Sequence, residues 1–150
     1  MKRKRVRAII FYEDKILSMY REREGRIFYT FPGGGMEENE TEEECVIREV
    51  YEEFGISVKP IKKVYVCEDQ INISSYYICE WLSGEFGTGH GEEFDKEQKN
   101  GIYRPTMMKI TDIPTQPLKP SEVAAAFYDD YMKQGKALRN DVKFLLGEIK

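Results

Sequence analysis

Glu49, Glu52 and Glu53 stand at i, i+3 and i+4, the spacing that puts side chains on one face of an α-helix. Three carboxylates in one sector repel one another unless a cation lies among them. Arg48 is the only basic residue between Thr41 and Phe54, and it reaches Glu52 at i+4. Oxygen-rich clusters of this kind suit Mg²⁺ or Mn²⁺, and such ions handle phosphates. Just upstream, Gly33-Gly34-Gly35 follows an apolar stretch and Pro32. Glycines permit unusual backbone angles and close approach of the main chain to a ligand. A solvated acidic helix face is the plainer alternative.

A helix must position these carboxylates. Thr41 and Glu44 form a capping box, Glu42 to Glu44 suit the positive end of the helix dipole, and Gly55 suits the residue just past the end. The spacing predicts a helix over 42–54. Val46, Val50 and Phe54, with Ile47 beside them, form its core stripe. Cys45 falls in the sector of the carboxylates and reads as a small residue admitting a neighbouring backbone.

Around that helix the pattern predicts strands at 6–12, 16–20, 27–31, 58–66, 71–82 and 102–110. Arg21 to Arg26 reads as a charged loop, Ile113 to Pro120 as a proline-rich connection, and Ser121 as the cap of a second helix ending near Gln134. The glycine-rich stretch from Ser83 to Gly101 is long for a plain connection and reads equally as a lid or a surface insertion. The tail from Arg139 is ambiguous. The expected architecture is one domain over 1–150: an α+β, α/β/α sandwich, its mixed sheet carrying the carboxylate helix on one side and the C-terminal helix on the other.

Composition narrows the chemistry. The 150 residues are 41% hydrophobic and 33% charged with net charge −4, so a general affinity for nucleic acid is not expected. The basic start MKRKRVR reads as a solubilising lead-in, favoured over a phosphate-binding arm. Cys45, Cys67 and Cys79 form no CxxC motif and read as reduced, buried thiols. His90 is the only histidine, which removes HExxH and multi-histidine zinc sites. No apolar run reaches transmembrane length and no secretory signal is recognised, so a cytoplasmic location is expected.

Gly34, Glu40, Arg48, Glu49, Glu52, Glu53 and Gly55, with apolar Val50 and Ile56, fit the pattern G-x5-E-x7-R-E-U-x-E-E-x-G-U at every fixed position. This resembles the Nudix box. The resemblance implies Mg²⁺- or Mn²⁺-dependent hydrolysis of a nucleoside diphosphate linked to another group, with a (deoxy)nucleoside triphosphate or related nucleotide as the leading substrate. It implies Glu49, Glu52 and Glu53 as metal ligands, a backbone oxygen of Gly33 as a further ligand, Arg48 as the residue orienting the glutamates, and Glu40 as a brace between loop and helix. Some members carry lysine where this chain has Gly35.

The general base stays open among Glu49, Glu52 and the loop residues Glu93 and Glu97. Arg21, Arg23 and Arg26 are candidates to grip a phosphate, and Phe28, Tyr29 and Tyr103 to stack on a base. Three other readings remain: a nucleotide-sensing Nudix domain without catalysis, a hydrolase of nucleotide sugars or dinucleoside polyphosphates, and an acidic protein-interaction surface without metal. A homodimer is compatible with the resemblance.

Overall fold

The computed structural model describes residues 1–89 and 101–147. His90, Glu93 and Glu97 lie outside the described residues.

The chain forms strands β1 (Arg3–Tyr12), β2 (Lys15–Arg23), β3 (Arg26–Thr30) and β4 (Gly33–Gly35), then helix α1 (Glu42–Phe54). Strands β5 (Ile56–Glu68), β6 (Asn72–Gly84), β7 (Ile102–Lys109) and β8 (Leu118–Lys119) follow, then helix α2 (Ser121–Gln134) and β9 (Lys143–Leu146). The strands form a mixed, branched sheet in the order β8-β3-β2-β1-β6-β5-β9, with β4 on β1 and β7 on β2. β1 and β2 pair only at their hairpin, Phe11 with Ile16 and Tyr12 with Lys15. Beyond it, β1 continues beside β4 and β6, while β2 continues beside β3 and β7. The sheet thus divides next to the glycine strand.

Alternation along β1 sorts its side chains to two faces. Val6, Ala8 and Ile10 pack with Val46, Val50 and Phe54 of α1. Ile9 packs with Phe31, Tyr76, Val123 and Phe127 on the α2 face. Among the described residues one helix covers each face, which is the expected sandwich.

Several local expectations change. The basic start is strand, because its alternate residues Val6, Ala8 and Ile10 belong in the core; it is no detached lead-in. Arg21 to Arg26 is not a loop. β2 runs to Arg23 and β3 starts at Arg26, so only Glu24 and Gly25 turn. The glycine triad is a short strand paired with Arg5, Val6 and Arg7. Ile47 is 39% exposed and not part of the core stripe. Pro120 is the N-cap of α2 and no side chain caps it; Ser121 is already helical. The ambiguous tail supplies β9, parallel to β5. The three cysteines are free and buried.

Helix α1 covers the predicted residues, with both halves of the capping box formed and Gly55 in the left-handed conformation at φ 76°. Removing the Thr41 hydroxyl leaves one orphan N–H of the first turn. Thr41→Ala is expected to lower stability by about 1 kcal/mol, read as a lower urea midpoint at unchanged slope, whereas Thr41→Ser retains the wild-type midpoint.

Candidate functional site

The glycine strand lies over the side chains of α1. A Cβ at Gly34 would stand 2.4 Å from the Glu49 carboxylate, and one at Gly33 would stand 2.1 Å from the Val6 carbonyl oxygen. Gly33 also has φ 144°, which side chains rarely adopt. Its N–H donates to Glu53 Oε1 at 2.8 Å. Cys45 Sγ lies 3.7 and 3.6 Å from the carbonyl oxygens of Gly34 and Gly35. Burial pushes its thiol up to about 12, so it stays protonated at neutral pH. Only a small residue on α1 permits this approach of a backbone.

Arg48 joins the glutamates. Its Nε and Nη2 donate to Glu40, at 2.7 and 3.1 Å. Its Nη1 donates to Glu49 Oε2 at 3.0 Å and to Glu52 Oε2 at 3.3 Å. Nη2 also donates to the Gly35 carbonyl at 3.1 Å. Glu37 lies 3.7 Å from the guanidinium. Four carboxylates therefore surround one guanidinium, leaving three formal negative charges beyond what Arg48 offsets. Hydrogen bonds donated to Glu40, followed by the field of Glu49, hold the Arg48 guanidinium firmly in its charged form. The Arg48 hydrogen bond, helped by the Glu37 N–H, pulls the Glu40 carboxyl down to about 2. Glu40 accepts from the Glu37 N–H at 3.0 Å, closing the loop ahead of α1.

The three helix carboxylates do not share one environment. Glu49 and Glu53 are buried at 8% and 5% exposure, while the Glu52 side chain is 38% exposed. Glu53 is drawn to Gly33, and Arg48 spans Glu49 and Glu52. Accordingly, among the described residues no three His, Cys, Asp or Glu side chains converge as a ready-made ion cage. The donors are nevertheless carboxylate oxygens beside a backbone carbonyl, the set preferred by Mg²⁺ and Mn²⁺. The guanidinium already bridges two of the carboxylates, so the arrangement tolerates positive charge between them. On donor chemistry and charge the residues fit a divalent ion. Gly89 packs against the end of α1; a Cβ there would lie 2.2 Å from the Glu53 backbone and 2.5 Å from the Glu52 carbonyl oxygen.

On the other side of β4 is a cavity of about 470 Å³, lined by Arg5, Arg7, Arg23, Arg26 and Lys119 among others. Its size is that of a small-molecule site. Arg5 pairs with Gly35 and Arg7 with Gly33, so one strand pair links cavity and carboxylates. Arg23 and Arg26 therefore face a cavity. Arg21 does not line it: its guanidinium lies 5.2 Å from the Phe28 ring centre and 4.5 Å from that of Tyr103, and donates to the Tyr103 hydroxyl. Tyr29 meets Tyr20 edge-to-face and packs with the α2 core. Phe28 is the one of the three candidate stacking residues that lines the cavity.

Sequence reasoning missed Arg5 and Arg7 in the basic start. The alternation of KRVRAII was the available signal. It also missed Asn72, a cavity residue whose Oδ1 is buried without a hydrogen-bond donor among the described residues.

The Glu40–Arg48 pair makes stability depend on pH. Glu40 titrates near 4.5 in the ordinary state and near 2 in the folded chain. The depressed value means that its stabilising contribution is complete above about pH 4.5 and is lost as pH falls toward 2. Glu40→Gln is expected to flatten the fall in thermal midpoint over that window relative to wild type, as measured by circular dichroism.

A NUDIX domain model matches residues 1–128. The chain is 34% identical over 59 residues to an RNA pyrophosphohydrolase of Pasteurella multocida, covering 39% of this chain and 30% of that one. It is 39% identical over 59 residues to an 8-oxo-dGTP diphosphatase of Proteus vulgaris, covering 36% of this chain and 53% of that one. The matches thus span about a third to a half of those relatives' lengths. Among solved structures, a NUDIX hydrolase from Nitrosomonas europaea superposes with TM-score 0.71 at 19% identity over 97% of this chain and 78% of its own. An ADP-ribose pyrophosphatase from Streptococcus suis gives TM-score 0.62 at 21% identity over 97% and 99%. Both share the fold. With the NUDIX model extending over most of its length and the box residues gathered around Arg48 beneath the glycine strand, the chain belongs to the Nudix family.

Proposed function

We propose that the chain is a pyrophosphohydrolase dependent on Mg²⁺ or Mn²⁺. It cleaves a nucleoside diphosphate linked to another group, with (deoxy)nucleoside triphosphates or related nucleotides as leading substrates. The observation that carries this reading is the set of four carboxylates around one guanidinium, held beneath a glycine strand whose other side borders a cationic cavity. An excess of carboxylate charge suits divalent cations, and the cavity suits the anion they accompany. The matched relatives named for RNA pyrophosphohydrolase and 8-oxo-dGTP diphosphatase activity support the same reaction class.

Glu49, Glu52 and Glu53 are the residues that would hold the ion, with a backbone oxygen of Gly33 as a further donor. When bound, a divalent ion offsets charge on the diphosphate and lowers the pKa of water. Arg48 fixes the rotamers of Glu49 and Glu52, and Glu40 fixes Arg48. Gly34 leaves the space in which the Glu49 carboxylate lies. The attacking water forms a bond to phosphorus, the bridging P–O bond breaks, and the water proton passes to a carboxylate. Glu49 and Glu52 are the candidates for that base within the described residues; Glu93 and Glu97 are the others. Alignment and charge stabilisation supply most of the rate in such transfers.

No fixed position of the box is lost, which favours hydrolysis over nucleotide sensing. We further read residues 1–150 as one Nudix domain acting on small molecules in the cytoplasm. Among the described residues no helix is long and apolar enough to cross a membrane.

The test is turnover of a panel of nucleoside triphosphates, nucleotide sugars and dinucleoside polyphosphates with Mg²⁺ or Mn²⁺. EDTA is expected to abolish turnover and excess Mg²⁺ to restore it. Glu52→Gln and Glu53→Gln are each expected to lower kcat by about 10²-fold or more, equivalent to about 3 kcal/mol of barrier. Wild-type kcat in both variants would refute the catalytic assignment, and tight nucleotide binding without turnover would favour the sensor.

A further inference from the structure

Three arginines, Arg3, Arg5 and Arg7, occupy alternate positions of β1. Arg5 and Arg7 pair with Gly35 and Gly33. Because position 35 has no side chain, arginine fills its space: a Cβ there would lie 3.2 Å from Arg3 Nη2. The Arg5 side chain is half-buried, yet among the described residues it makes no hydrogen bond or ion pair. Burial, reinforced by Arg7 and Arg3, lowers it to about 10 even though Glu49 and Glu53 act in the opposite sense. A half-buried cation without a contacting anion is costly, and a bound anion relieves that cost.

Among the described residues, the cavity that Arg5 lines has five cationic residues, Arg5, Arg7, Arg23, Arg26 and Lys119. Against them stand Glu24, Asp69 and Glu122, a formal excess of two positive charges in a chain of net charge −4. One of those acids is already engaged, since Asp69 Oδ1 accepts from the N–H groups of Ile71 and Asn72. The cavity also meets the start of α2 at Ser121 and Glu122, where no side chain caps the helix. A fourteen-residue helix presents free N–H groups and a partial positive charge at that end.

We propose that this cavity is an anion subsite in which Arg5, aided by Arg23 and Arg26, receives a phosphate of the substrate beyond the scissile linkage. The chain therefore prefers nucleotides whose second moiety is phosphorylated, such as nucleoside triphosphates, over those with a neutral sugar. This rests on the pyrophosphohydrolase reading for its catalytic consequence, though not for the binding itself. Arg5 acts as a specificity residue: its charge lies one strand pair from the carboxylates, so it selects what extends away from them.

Two measurements test it. The first is calorimetric binding of inorganic tripolyphosphate to the full chain in EDTA. The wild type is expected to bind, more weakly as salt rises, and Arg5→Gln to bind about tenfold more weakly. Arg5→Lys retains most of the affinity, and the exposed charge control Lys143→Gln matches wild type. Should Arg5→Gln not fold, the double variant Arg23→Gln/Arg26→Gln, altered only at exposed positions, is expected to show a similar loss. The second is the ratio of kcat/KM for ATP to that for ADP-glucose, expected to fall about tenfold in Arg5→Gln. No binding by wild type, unchanged binding in the arginine variants, or an unchanged ratio in an active Arg5→Gln enzyme would overturn the proposal. Loss of tripolyphosphate binding in Arg5→Gln, with no nucleotide turned over by wild type, would uphold the subsite and refute the hydrolase reading.

Discussion

Arg48 is the point at which the site's opposing charges are reconciled. One guanidinium donates to Glu40, Glu49, Glu52 and the Gly35 carbonyl, and so connects the loop ahead of α1, the helix and the glycine strand. Like charges a few ångströms apart oppose one another by about 1 kcal/mol in water and about 4 kcal/mol where water is partly excluded. Without the guanidinium, the carboxylates would be driven toward solvent or toward protonation. With it they stay close, yet outnumber that one guanidinium. That excess is the physical reason to expect a second, dissociable cation.

The fold serves this arrangement through its division. Because β1 leaves β2 after the hairpin, β4 can lie along β1, and its glycines let a backbone rest directly on the α1 carboxylates. Gly34 gives the Glu49 carboxylate its space, and the Gly33 N–H fixes Glu53. The same β1 carries Val6 and Ala8 into the α1 core and Arg5 and Arg7 toward the cavity. One strand thus supports the carboxylate helix on one face and supplies cations on the other, which juxtaposes the two charge types that a metal–diphosphate complex needs.

Much of this was legible from local patterns. Helix α1 was fixed by its capping box, its apolar stripe and Gly55, all short-range signals. The two helices on opposite sheet faces followed from their order among the strands. Other features were hidden for stated reasons. Lysine and arginine at a chain start look like solubilising charge unless alternate residues are tested against a core, and only the β1–β4 pairing shows where Arg5 and Arg7 go. Arg21, Arg23 and Arg26 are identical in type and close in sequence. Yet Arg21 is taken by Phe28 and Tyr103 while its neighbours reach the cavity, a distinction set by long-range strand pairing. Equal spacing of Glu49, Glu52 and Glu53 likewise said nothing of their unequal burial.

Binding of a divalent cation by the carboxylates around Arg48 and Gly33 is what the proposed reaction requires. Its most direct test is titration of the full chain with Mn²⁺, followed by electron paramagnetic resonance of the free ion. The wild type is expected to bind it saturably, and the Glu49→Gln/Glu53→Gln double variant about tenfold or more weakly. A wild-type chain that leaves Mn²⁺ free throughout the titration, or a double variant that binds it equally well, would contradict the claim.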